Sequence, residues 1–332
     1  MADYDFSKGM YSRKNKDKFS GLSDYESGKH VYFDKKNLFT FGNGDSQKDY
    51  KEVDNMHIGQ LKLLLSEMQA IVYYLDTTEV KTVVYVGAAP GCHIYVLANL
   101  FPRIKFHLYD ISDRWDQRLY QEKNITIYNT YFTDEDVEKW QNFKEPFFFI
   151  SDIRNLTVGD YGSNLSKRED VVWGDMMLQQ DWVEKLKPVL SLLKFKLPYP
   201  TKEENHKNYL DGTVLRQLFA RRSSAETRLL VTGLAYREWD LNNYERMCAY
   251  HNQIIRKKAF FFNPLNNNKE AIYEEKGLNN DYESTALTIV VVDYLKKINM
   301  SSSETNVKKI LDFILDNTYD DRKINLRAER KF

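Results

Sequence analysis

An α/β protein built on a Rossmann-like, doubly wound, mostly parallel sheet with helices on both faces is the fold class this sequence predicts. Three observations carry it. Short β-rich runs alternate with helical stretches from about residue 80 to residue 235, the pattern of a sheet wound by crossover helices. One of those runs, Pro146–Ser151 (PFFFIS), is continuously apolar, as a central strand covered on both faces must be. The first run ends in the turn Val86-Gly87-Ala88-Ala89-Pro90-Gly91, where a strand passes directly into a helix.

The elements follow in order. Residues 1–55 are rich in Asp, Lys, Gly and Ser with scattered aromatics, an irregular arm expected to pack on the body. From His57, Leu61, Leu65, Met68, Val72 and Leu75 recur at helical spacing, giving a helix with one buried face. Thr82–Gly87 is the first strand and Pro90–Leu100 a helix with proline in its first turn. Ile104–Asp110, Ile125–Tyr128 and Pro146–Ser151 read as strands, Ser166–Leu186 as a long helix, and Val189–Lys196 and Arg228–Gly233 as further strands. Ala259–Phe262 and the β-branched run Leu287–Tyr294 are expected to add late strands. A serine joint at Ser301–Ser303 precedes an amphipathic helix through Val307, Ile310, Leu311 and Ile314. The expected organisation is therefore the arm, a catalytic domain over 56–300, and a C-terminal helix and tail over 301–332.

Composition removes several function classes. The 48 Lys and Arg equal the 48 Asp and Glu, which excludes a uniformly basic coat for nucleic acid but allows a basic cleft. Two cysteines, Cys92 and Cys248, have no CxxC or Cys/His spacing, so they are expected to be reduced thiols and no metal site is expected. The first residues are polar and charged, unlike a signal peptide. No apolar run reaches the roughly 20 residues that span a bilayer. A soluble, cytoplasmic protein without membrane contact is the expectation.

The glycine turn lacks the middle glycine of G-x-G-x-x-G and is followed by no Gly-Lys-Ser/Thr, so neither a pyrophosphate reader nor a P-loop fits. An uncharged adenosine with an amino-acid tail, as in S-adenosylmethionine (SAM), suits it better. Asp110 ends the second strand about 20 residues further on, where a carboxylate can grip ribose hydroxyls. Asp152 follows the apolar strand at the sheet edge where such folds bind ligands. Lys194 lies in the apolar run VLSLLKFKLPYP, and Lys196 shares its strand parity and rivals it. Lys62 sits beside the apolar stripe of its helix, where a snorkelling lysine is the ordinary alternative. Glu226 precedes a strand, with Arg228 or Arg222 as alternative partners.

Six blocks in matching order, GQLKLLLSE (59–67), VVYVGAAPGCH (83–93), ISDIR (150–154), LKPVLSLLKFKLPYP (186–200), SSAETRLL (223–230) and NYERMCAYHNQIIRK (243–257), resemble the poxviral cap-specific mRNA (nucleoside-2'-O-)methyltransferases. These proteins also serve as poly(A) polymerase processivity subunits. The resemblance implies a SAM-dependent enzyme of the RrmJ/FtsJ-like class that releases S-adenosyl-L-homocysteine. It places a Lys-Asp-Lys-Glu tetrad on Lys62, Asp152, Lys194 and Glu226. Lys194 would be the general base toward the 2'-hydroxyl of the first transcribed nucleotide. Lys62 would depress its pKa from about 10.4 to the roughly 7–8 that a neutral-pH base requires. Asp152 and Glu226 would orient the amines. The resemblance also implies cofactor contacts from Gln60, Tyr85, Gly87, Ala89, Gly91, His93, Asp110, Phe132, Asp152 and Arg154.

For m7G-capped mRNA the resemblance implies an aromatic clamp with carboxylates at the edge of the base. Tyr199 and Glu245 match it, and Phe39 or Phe41 is the second aromatic. Thr201 departs from the family's acidic residue, with Glu203 or Glu204 as substitutes. Arg221 and Arg222 are the first choice for RNA phosphates, with Arg216, Arg237, Arg256, Lys257 and Lys258 as further candidates. A poly(A) polymerase catalytic subunit is the implied protein partner. The alternatives are a non-catalytic polyadenylation subunit and a ribose methyltransferase for uncapped RNA.

Overall fold

A computed structural model describes residues 59–155, 165–201, 203–220, 224–250, 252, 265, 272–278 and 282–318. The strands are β1 (Thr82–Val86), β2 (Lys105–Tyr109), β3 (Ile125–Tyr128), β4 (Phe148–Ser151), β5 (Leu190–Phe195), β6 (His206–Leu210), β7 (Thr213–Leu215), β8 (Thr227–Val231) and β9 (Tyr236–Asp240). The helices are α1 (Gly59–Tyr73), α2 (Cys92–Leu100), α3 (Asp134–Gln141), α4 (Leu165–Leu186), α5 (Leu241–Tyr250), α6 (Tyr282–Lys297) and α7 (Glu304–Thr318).

Seven strands form one sheet in the order β3-β2-β1-β4-β5-β8-β7. The five from β3 to β5 are parallel, whereas β8 is antiparallel to both β5 and β7. The chain leaves β1 toward β2 on one side and later returns to β4 on the other. That reversal opens a crevice at the strands' carboxyl ends, which is the ligand site of open α/β sheets. Every residue of β1, β4 and β8 is buried, as the continuous apolar runs require. β6 and β9 pair in a separate two-stranded sheet. The Rossmann-like expectation holds.

The chain divides into two compact units. The sheet unit takes 75–215 and 226–244, and the helical unit holds α1, residues 216–225, and the chain from Glu245 onward. Within the helical unit α1 packs on α6 and α7. Tyr73 donates to Asp293 at 2.7 Å, and the Lys297 ammonium donates to the Val72 carbonyl at 3.1 Å.

Three local expectations are corrected. Leu287–Tyr294 is the middle of a helix, α6, not a strand. Its residues from Ser284 to Val292 are all buried. A continuous apolar run carries no periodicity to separate the two states, and helix–helix burial overrides β-propensity. α1 is not one-sided: from Leu61 to Val72 every residue is buried except Lys62. α2 starts at Cys92 and leaves Pro90 outside, because Gly91 stands at φ 77°, where no helical turn continues. The expected strand Ala259–Phe262 and arm 1–55 lie outside the described residues, as does the tail beyond 318.

Candidate active site

The glycine turn is shaped by close approach to the strand beside it. Gly87 lies at φ 79°, and a Cβ there would sit 2.9 Å from the Asp152 carbonyl carbon and 3.0 Å from the Ile153 nitrogen. Only glycine fits, because φ is positive and backbone occupies the space. The turn is thereby locked to Asp152, whose N–H donates to the Val86 carbonyl at 2.9 Å. The Gly87 and Ala88 N–H groups both donate to the Tyr109 carbonyl. Ala89 N–H donates to Asp110 Oδ2 at 2.9 Å. Burial raises the Asp110 pKa above the ordinary aspartate value, the neighbouring Asp152 carboxylate adds to that, and the Ala89 N–H opposes it. Next to Asp110, Ile111, Ser112, Asp113, Arg114 and Asn129 line an open depression of about 560 Å³. A half-buried carboxylate beside a depression at a strand's carboxyl end fits a nucleoside with free ribose hydroxyls.

The charge cluster stands where β4 ends. β4 and β5 run in register only as far as Ser151 and Leu193, so the next residue on β5, Lys194, has no ladder partner on that side. Gln179 of α4 replaces it. Its side-chain carbonyl accepts from Lys194 N–H at 3.1 Å and its amide donates to Lys194 C=O at 3.0 Å. Both backbone groups of Lys194 thus turn away from β8, making Lys194 and Arg228 a non-hydrogen-bonded antiparallel pair with close side chains. Two cations directly opposite one another repel, and Asp152 offsets this by accepting from both. Its Oδ1 lies 3.0 Å from Lys194 Nζ and 2.6 Å from Arg228 Nη2. Arg228, 1% exposed, also donates to the Ser151 carbonyl at 3.2 Å.

Glu226 closes the group, 3.7 Å from Lys194 Nζ and 3.6 Å from Arg154 Nη2. Arg154 also lies 3.6 Å from Asp175, while Asp175 accepts from the backbone and side chain of Asn155. The two terminal nitrogens of Arg154 are buried without a hydrogen bond among the described residues. Such a cluster can hold and orient an amine beside a reacting hydroxyl.

A family model described as Poly A polymerase regulatory subunit matches residues 32–314. The chain belongs to that family. Two curated relatives share a printed name, cap-specific mRNA (nucleoside-2'-O-)-methyltransferase. The one from Fowlpox virus (strain NVSL) is 33% identical over 225 residues, 62% of this chain and 69% of that protein. The one from Myxoma virus (strain Lausanne) is 32% identical over 222 residues, 61% of this chain and 62% of that protein. The chain therefore spans about two thirds of the relatives' length.

Within this poly(A) polymerase regulatory subunit family member, the structure brings Asp152, Lys194 and Glu226 together, with Arg154 beside them. Lys62 and Gln60 belong to the helical unit, on α1. Lys196 is no rival to Lys194. Its ammonium lies 2.7 and 2.8 Å from the two carboxylate oxygens of Glu169 on α4, outside the Asp152 cluster. Tyr85 and His93 form a buried pair, with Tyr85 Oη 3.4 Å from His93 Nε2. Phe132 packs edge-on against Tyr109 and Trp182.

Tyr199 is 45% exposed, as a stacking surface requires. Thr201 N–H donates to the Glu204 carbonyl and the Glu204 N–H to Thr201 Oγ1, so the threonine organises a turn. Glu204 pairs with Lys207 and Glu203 is exposed. Glu245 is half-buried on α5. Arg237 lies over the Trp239 ring and near Asp211. Arg216 is buried, which corrects its expected place among phosphate contacts. Phe39, Phe41, Arg221, Arg222, Arg256, Lys257 and Lys258 lie outside the described residues.

Arg228, Asp175, Gln179 and Glu169 were not singled out by sequence as site residues. For Arg228 a signal existed. An arginine inside the apolar strand TRLLV needs a buried anion, and Asp152 supplies it, where the sequence had offered Glu226 only as an alternative partner.

Proposed function

We propose that this chain is a cap-specific mRNA 2'-O-methyltransferase, moving a methyl group from SAM to the 2'-hydroxyl of the first nucleotide of m7G-capped RNA. The observation that carries the reading is Lys194 held between Asp152 and Glu226 at the carboxyl edge of a Rossmann-like sheet, beside the glycine turn. The names of the viral relatives support the reaction. SAM, when bound, supplies an electrophilic methyl group on a sulfonium.

The chain's own residues do the rest. Asp110 would accept from the cofactor's ribose hydroxyls, and Gly87 keeps the turn close enough to Asp152 for cofactor and base to share one edge. Lys194 Nζ would take the 2'-hydroxyl proton as that oxygen bonds to the methyl carbon and the carbon–sulfur bond breaks, its electron pair leaving with S-adenosyl-L-homocysteine. We assign Lys62 the place of the second lysine in the tetrad, as the resemblance implies. Asp152 and Glu226 fix the amine's position, and positioning supplies much of the rate in a methyl displacement. Tyr199 would stack on the cap base, whose positive charge adds a cation–π contribution of about 0.5–2 kcal/mol.

The decisive test is methyl transfer from labelled SAM to capped and uncapped short RNA. Lys194→Ala should abolish transfer to the 2'-oxygen and leave SAM binding intact; full activity in that variant would overturn the assignment. A second reading rests on the family match, which runs through α6 to Ile314. This chain would then also serve a poly(A) polymerase catalytic subunit. Co-purification with such a subunit, and tail lengths with and without this chain, test it.

A further inference from the structure

Lys196 lies two residues beyond Lys194 and is built into a different device. Besides its two contacts with Glu169, its ammonium stands 4.6 Å from the centroid of the Tyr199 ring. The Tyr199 N–H in turn donates to Glu169 Oε2 at 3.3 Å. One carboxylate on α4 therefore holds both the ring's own backbone and the cation on one of its faces. Lys196 and Glu169 are 17% and 19% exposed at their side chains, while Tyr199 is 45% exposed.

An ammonium on one face of an aromatic ring draws on the same quadrupole that a second cation would use on the other face. Unneutralised, Lys196 would oppose any positively charged ring stacked on Tyr199. With both Glu169 oxygens on its ammonium, the pair beneath the ring carries no net charge. We propose that Glu169 is a specificity-determining residue: by neutralising Lys196 under Tyr199, it lets the exposed ring prefer a cationic, N7-methylated purine over the uncharged base. The inference rests on the cap-binding reading above and adds the charge control of that subsite.

The test is equilibrium binding of m7GTP and GTP to the full chain by fluorescence quenching, with Glu169→Gln, Lys196→Met and the double variant Glu169→Met/Lys196→Met. In Glu169→Gln the m7GTP-over-GTP preference should fall roughly 3- to 10-fold, the range of a partly screened cation–π contribution. The double variant should regain it, because both charges leave together. If Glu169 only held the ring in place, both ligands would weaken in proportion and the ratio would stay constant. That outcome overturns the proposal while leaving Tyr199 as the cap platform. A parent chain with no preference for m7GTP would remove the platform reading and this inference with it. Methyl transfer to capped RNA, read in parallel, separates that case from loss of the enzyme reading.

Discussion

Replacing Gln179 by methionine should release the strand end that carries Lys194 while leaving the sheet assembled. Methionine keeps the length and apolar stem of a fully buried side chain but removes two hydrogen bonds, at 3.0 and 3.1 Å, to the Lys194 backbone. Leaving a buried backbone donor or acceptor unsatisfied costs about 1–3 kcal/mol each. Lys194 is only partly buried, so a total near 2–4 kcal/mol is expected. The cost falls on one amide rather than on the whole sheet, because β5 keeps its pairing with β4 up to Leu193 and with β8 from Ser191 to Phe195. Local opening at Lys194 should then become roughly 30- to several-hundred-fold more frequent. Native-state hydrogen exchange read at that amide measures it. Protection at Leu192 and Leu229 should change little. Unchanged exchange at Lys194, or equal loss across β4, β5 and β8, would refute the idea that Gln179 stands in for a missing ladder partner. Methyl transfer should drop by about 10- to 100-fold through misplacement of the amine, with SAM affinity unaltered.

Other outcomes follow from the turn and the sheet edge. Burial raises the Asp110 pKa, while accepting hydrogen bonds from a ligand would favour the ionised form. SAM affinity should therefore weaken on acidification, beginning above the ordinary aspartate range, and Asp110→Asn should bind weakly with no such acid limb in calorimetry. Burial, aided by Lys139 and Lys105, holds His107 down at about 4, below the ordinary histidine value of 6.5. The unfolded chain takes up that proton first, so stability should fall between pH 6.5 and about 4. His107→Phe should flatten that part of a denaturant-midpoint profile. Burial and the Asp116 carboxylate push the Cys92 thiol up to about 11, so only roughly 0.1% is thiolate at pH 8. Alkylation should be far slower than for free cysteine and should accelerate in Asp116→Asn.

The positions of the central strands could be anticipated where the sequence held continuous apolar runs and one glycine turn. These features act locally: a doubly covered strand must be apolar throughout, and Gly87 must be glycine because backbone fills the place of its Cβ. The run Leu287–Tyr294 misled because β-branched residues in an unbroken apolar stretch carry no period, and packing within the helical unit chose helix. The Asp152, Lys194 and Glu226 group was found through the resemblance of whole blocks, since each residue alone had an ordinary structural explanation.

What the sequence determined by itself was therefore the α/β class, the position of the turn, and which chemical groups the chain carries. Tertiary structure alone decided how those groups are shared. Lys194 and Lys196 have the same strand parity and the same chemistry, yet one is held by Asp152 and the other by Glu169. The difference arises because β5 ends between them, and the anions that meet each ammonium come from the residue after β4 and from α4, far away in the chain.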